Sequence, residues 1–114
     1  MQMPTRDLYD AGMLNAYAKA MAEANVRREQ NFERYSDLAY EAFKDKHWNY
    51  VIYYVNEALS TKFYNGKLYY IRGYSYEQNG NLRAAKKDYK TARKHGYTPA
   101  TQALEALKAR SKRK

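Results

Sequence analysis

The chain contains no cysteine, so neither a disulfide framework nor a thiolate metal site is open to it. Its two histidines, His47 and His95, stand alone and form no two-histidine metal motif; a surface or loop histidine of that kind is ordinarily a solvated residue rather than a catalytic one. No glycine-rich phosphate loop is present, and Gly73 and Gly80 have structural explanations. No apolar run approaches the roughly 18–20 residues needed to span a bilayer, and the N-terminus lacks a signal-peptide core. No enzymatic activity, metal ion or cofactor is therefore expected, and no membrane span. The reading for compartment is cytoplasmic, or exported if a leader ahead of Met1 has been removed.

What the chain has is tyrosine and an uneven charge. There are 14 tyrosines against 3 phenylalanines and 1 tryptophan, and a buried phenol needs a hydrogen-bond partner. The net charge of +9 belongs to the second half alone: through Asn65 there are 8 basic and 9 acidic residues, and from Gly66 onward 13 and 3. At 114 residues the length suits one domain.

Residues 69–92 organise the rest. They read as two helices folded back on each other around Asn79-Gly80-Asn81, with Tyr69, Gly73 and Tyr76 on one stripe and Ala85, Tyr89 and Ala92 on the other. Gly73 and Ala85 lack bulk, so the helices can approach closely while the tyrosines fill the space around the contact. A shift of 34 residues toward the N-terminus puts Tyr69 on Tyr35, Gly73 on Ala39, Ala85 on Val51, Tyr89 on Val55 and Ala92 on Ala58. This is an internal repeat. A second shift puts Val55 and Ala58 on Met21 and Ala24, a fainter third copy.

A helix-turn-helix unit of this period and this order of large and small positions resembles the tetratricopeptide repeat, W-x2-L-G-x2-Y, then A-x3-F, then P. The later copy has Tyr69, Arg72, Gly73 and Tyr76, then Ala85, Tyr89 and Ala92; the earlier has Tyr35, Leu38, Ala39 and Ala42, then Val51, Val55 and Ala58. Three departures stand out: Arg72 replaces the usual leucine, Lys46 the turn glycine, and Phe63 and Tyr97 stand where the family often has proline. The resemblance implies an all-α fold, a solenoid of antiparallel helix pairs with about six helices. Its parts are a degenerate N-terminal helical unit over 6–30, repeats over 31–64 and 65–98, a capping helix over 99–109 and a basic, disordered tail over 110–114. Leu14, Tyr17, Met21 and Ala24 form the apolar stripe of the N-terminal unit, which is expected to cover the open end of the first full repeat. Its boundary with the next helix, at 25–31, rests on the repeat register alone, because no strong breaker lies there. Gly96 suits a left-handed helix exit, and Thr98-Pro99 a new helix start.

In such repeats the first helices line the concave side. By that mapping the groove shows Ser36, Tyr40, Phe43 and Lys44 from one repeat and Tyr70, Tyr74, Glu77 and Gln78 from the next. Clustered tyrosines offer large, rigid contact area at low entropy cost, which suits a peptide, helix or loop of a partner protein. Some relatives grip a chaperone's C-terminal carboxylate with polar groove residues; here Ser36, Tyr40 and Ile71 hold those places, so that ligand is disfavoured. The alternative is a polyanion such as RNA on Arg83, Lys86, Lys87, Lys90, Arg93 and Lys94, although basic outer helices are commonly plain solvated faces. Glu33, Asp37, Glu41 and Asp45 make an acidic row that drifts round its helix, which argues against a cation site. The row could meet the basic end of a second copy in a weak, salt-screened self-association.

Overall fold

The structure, a computed structural model, describes residues 11–112 and is all-α over them. Five helices follow one another: α1 (Ala11–Lys44), α2 (Trp48–Leu59), α3 (Gly66–Gln78), α4 (Leu82–Lys94) and α5 (Pro99–Lys112). Each packs on its neighbours in sequence, and the C-terminal part of α1 also lies beside α3. None of these helices is long and apolar enough to cross a membrane.

The period seen in the sequence is present in the backbone. Where α1 turns into α2, amides of Asp45, Lys46 and His47 donate to carbonyls of Glu41, Phe43 and Ala42; 34 residues later Asn79, Gly80 and Asn81 donate to Ser75, Glu77 and Tyr76. His47 to Ala42 and Asn81 to Tyr76, both 2.9 Å, are the long bond of a Schellman closure. Such an exit needs a left-handed residue. Gly80 (φ 85°) and Gly96 (φ 88°) supply it after α3 and α4, while Lys46 (φ 61°) and Lys62 (φ 74°) are forced into it after α1 and α2. Asn65 caps α3 by accepting from the amides of Lys67 (2.7 Å) and Leu68 (3.4 Å), and Asn81 caps α4 by accepting from Ala84 (3.2 Å).

Two apolar clusters carry the body. Ala39, Ala42, Val51, Val55, Ala58, Leu68 and Ile71 close α1, α2 and α3 together; Ala85, Tyr89, Ala92, Ala100, Leu104 and Leu107 close α4 on α5. The half-buried Tyr70 packs against both. Helix α3 therefore buries two faces, Gly73 toward α4 and Leu68, Ile71 and Ser75 toward the earlier pair. A β-carbon on Gly73 would come within 3.0 Å of Asp88 Cβ and of the Tyr89 ring, so the close approach expected at this glycine is real.

The departure at Arg72 has a structural use. Its Nε and Nη2 donate to the two carboxylate oxygens of Asp88 at 2.7 and 2.8 Å, and its Nη1 donates to Asn56 Oδ1 on α2 at 2.7 Å. Tyr69 and Tyr76 flank the guanidinium, their ring centres 5.6 and 6.0 Å from it. The aromatics of that stripe thus surround a buried fork-shaped ion pair instead of filling an apolar gap.

Both ends differ from the sequence expectation. A break at 25–31 does not occur: α1 is one helix of 34 residues, and the described residues form five helices where about six were expected. The segment is rich in alanine and has neither proline nor a glycine exit between Met13 and Lys44, so nothing stops a helix there. Nor does its N-terminal part cover the open end of the first pair. Leu68, Ile71 and Ser75, which bury α3 against the preceding pair, correspond at the 34-residue offset to exposed Arg34, Asp37 and Glu41. That end of the stack is charged and has no apolar seat for another helix. Residues 12–30 therefore run on as a projecting arm, and the radius of gyration is 20.5 Å against about 13 Å for a compact chain of this length. At the other end α5 continues to Lys112, so residues 110–112 are helical and not a disordered tail. Residues 6–10 of the N-terminal unit and 113–114 of the tail lie outside the described residues.

Two stability predictions follow from the buried pair and the forced turns. Arg72→Leu, which restores the family's residue, orphans Asp88 and lowers unfolding free energy by about 3 kcal/mol in urea melts. Adding Asp88→Ala to it returns most of that loss. Lys62→Gly relieves a left-handed lysine and raises stability by about 0.5–1 kcal/mol, after allowance for the extra freedom of glycine in the unfolded chain.

Candidate functional site

The eight groove positions divide into three groups. Ser36 is only 6 % exposed, and its hydroxyl is enclosed without a hydrogen-bond partner, so it sits under the surface rather than on it. Lys44 and Gln78 are exposed at the rim, with Lys44 Nζ 3.6 Å from Glu41. Tyr40, Phe43, Tyr70, Tyr74 and Glu77 are half-buried and make up the floor and walls. Ile71, at 1 % exposure, belongs to the core and cannot meet a ligand.

The rings of this last group form a chain from α1 across α3. Phe43 lies edge-on to Trp48 at 5.8 Å and to Tyr74 at 5.5 Å, and Trp48 is itself 5.5 Å from Tyr74. Tyr74 then meets Tyr70 at 6.5 Å, which meets Tyr89 at 5.7 Å and Tyr97 at 5.1 Å. Beside the chain, Lys67 Nζ stands 4.8 Å over the Tyr40 ring. Tyr97, in the loop after α4, turns back onto α3 of its own pair; Phe63, in the corresponding loop, does the same to Phe32 of α1 at 5.7 Å.

Beyond Tyr74 the chain opens into a cleft of about 350 Å³ between α3 and α5. Tyr70, Tyr74, Glu77 and Tyr89 form one side, Pro99, Gln102, Ala103 and Ala106 the other. Glu77 braces it: Oε1 accepts from the Tyr89 hydroxyl at 2.7 Å, and Oε2 pairs with Arg110 of α5. The α5 wall was absent from the sequence reading, which treated that helix only as a cap. Its signal was available, since Gln102, Ala103 and Ala106 share a face at helical spacing beside the apolar Ala100, Leu104 and Leu107.

The alternative surface lies elsewhere. Arg83, Lys86, Lys87, Lys90, Arg93 and Lys94 are all exposed on α4, and none of them is ion-paired with a described residue. A second hollow, of about 320 Å³, lies by the N-terminus of α3 among Tyr64, Lys67, His95 and Tyr97, where the Asn65 cap already occupies two of the free amides. No group of three or more potential metal-ligating side chains gathers anywhere among the described residues. Compared with known families, curated proteins and solved structures, the chain matches none.

Burial leaves its mark on the phenols of the site. Desolvation raises Tyr40, Tyr70 and Tyr89, and Tyr69 outside it; for Tyr89 the hydrogen bond to Glu77 adds to the effect. A phenol raised in the folded state above its unfolded value of about 10 contributes stability that is whole below that pH and lost as pH rises past it. The urea midpoint is therefore expected to hold level to about pH 9.5 and to fall above about pH 10. Tyrosinate absorbance in the folded chain should stay below that of 14 free phenols until unfolding releases the resistant rings.

Proposed function

We propose that this chain is a small helical-repeat binding module of the tetratricopeptide kind, in which α1–α2 and α3–α4 act as two stacked repeats and α5 as the first helix of a third unit. It works as an adaptor and not as an enzyme, and it needs neither metal nor cofactor. Its ligand is an extended peptide, helix or loop of another protein, held in the cleft between α3 and α5. The observation that carries this reading is the cleft itself, with two half-exposed tyrosines one helical turn apart facing small α5 side chains. Aromatic walls opposite alanines suit an apolar side chain inserted from a partner, and Gln102 and the tyrosine hydroxyls can orient its backbone. Tyr40 and Phe43 extend the same aromatic surface toward α1. In this reading Tyr70 serves twice, because it also joins the two core clusters.

A second reading rests on the six exposed, unpaired cations of α4: a polyanion such as RNA binds there, its phosphates neutralised along the helix. These cations lie on α4, while the cleft is built mainly on α3 and α5, so the two readings can be separated.

The test selects random linear peptides displayed on phage against the native chain, then measures the winners on Ala106→Arg. That side chain is exposed, so the substitution obstructs the cleft without entering the core. A loss of at least about tenfold is expected, with Lys87→Glu/Lys90→Glu unchanged. No peptide that distinguishes native from Ala106→Arg overturns the cleft reading. Single-stranded RNA binding that survives near-physiological salt, with a slope of several charges, would put the α4 surface in its place.

A further inference from the structure

The arm of α1 carries an apolar face that its own chain does not cover. Leu14, Tyr17 and Met21 are 49, 67 and 47 % exposed, and from Gly12 to Gln30 only Ala24 is partly buried. At about 100° per residue, Leu14, Tyr17, Ala18, Met21 and Ala24 lie on the same side of the helix as Phe32, Tyr35, Ala39, Ala42 and Phe43. Those later residues pack in the core. One continuous stripe thus runs the length of α1, and α2 covers only its C-terminal half. A lone projecting helix of this length has little stability of its own without tertiary packing.

We infer that a second copy of this chain covers the arm, the two arms packing antiparallel on their apolar faces. Three observations converge on that occupant. The chain's own body has no apolar seat for the arm, because Arg34, Asp37 and Glu41 charge the open end of the first pair. Orientation is set by α2, which lies over the same side of α1: a parallel partner would run into it, whereas an antiparallel one takes along the arm the place that α2 takes along the rest. The partner's N-terminal end then stops near Arg28, whose guanidinium donates to Asn25 Oδ1 at 2.6 Å and stands 5.6 Å over the Phe63 ring, so the seam ends where the body begins.

The sequence supplies a register for such a pair. Leu14 and Met21 occupy one seam position of a heptad and Tyr17 and Ala24 the other. Antiparallel layering of the two sets places Leu14 against Ala24 of the second copy and Tyr17 against Met21, so each layer matches a larger with a smaller side chain or a ring with a thioether. Ala18 and Ala20 flank the seam and let the helices approach closely. Covering both faces removes on the order of 1,000 Å² from water, the lower bound for a specific interface, and an association in the micromolar range. The polar side of the arm carries Lys19 and Arg27 against Glu23 and Glu29, a mixture unlike the basic face of a helix that lies on anionic lipid.

The test is sedimentation velocity of the full chain over a concentration series. The weight-average mass should rise toward twice the monomer value by about 100 µM. Met21→Glu should stay monomeric while the near-UV circular dichroism of the body is unchanged, and Met21→Leu should still pair. Because the chain has no cysteine, orientation can be read directly: mixed Tyr17→Cys and Met21→Cys variants should oxidise mainly to the mixed disulfide, and Leu14→Cys alone should not cross-link. A native chain that remains monomeric throughout overturns the proposal, whether or not vesicles of anionic lipid then protect the arm. Efficient Leu14→Cys self-cross-linking overturns the antiparallel arrangement.

Discussion

The fork between Arg72 and Asp88 is the constraint on which the arrangement of the body depends. It joins α3 to α4, and through Asn56 it holds both to α2, so one guanidinium ties together three helices. Burial works against that charge. The bidentate hydrogen bonds and the charge of Asp88 more than offset it, and the guanidinium is held more firmly protonated than usual. Gly73, next along α3, leaves no room for any other side chain against Asp88. The missing side chain on one residue and the directional pair on its neighbour therefore belong to the same contact: the glycine sets how near the helices come, and the ion pair sets how they are rotated.

The aromatic surface shows how one set of residues can hold a fold together and still leave a place for a ligand. Tyr70 bridges the two clusters, and Phe43, Trp48 and Tyr74 interlock at the junction of α1, α2 and α3. Tyrosine suits this position because its ring can pack while its hydroxyl reaches a polar partner or water. Glu77 contributes on both counts, bracing Tyr89 and pairing with Arg110 at the edge of the cleft. Such a wall is preorganised, so a ligand would meet rings whose freedom has already been spent in folding.

The two ends of the molecule are finished differently. At the C-terminal end α5 buries Ala100, Leu104 and Leu107 and closes the second cluster. At the N-terminal end the stack stops because charged residues occupy the seat of the next helix, and the arm that might have filled it runs on straight. Its apolar stripe continues that of the core, which makes the arm part of the packing problem of α1 rather than a separate unit.

Much of this was legible in the residues. The 34-residue offset, the small positions at Ala39, Gly73, Ala85 and Ala92, the exit at Gly96 and the start at Pro99 are local signals, and local signals determine helices and turns because each depends on a few neighbouring bonds. The exposed basic face of α4 was equally plain. Other features required the tertiary structure. The sequence shows an apolar stripe at Leu14, Tyr17 and Met21 but not what lies opposite, so a covering helix and a projecting arm read alike. Ser36 and Ile71 occupy helical positions that face a groove in one register and a neighbouring helix in another. The α5 wall of the cleft, and the conversion of Arg72 from a misplaced charge into a clamp, depend on residues 16 to 33 positions away along the chain meeting in space. Periodicity determines which side of a helix is buried; only the packing of helix on helix decides against what.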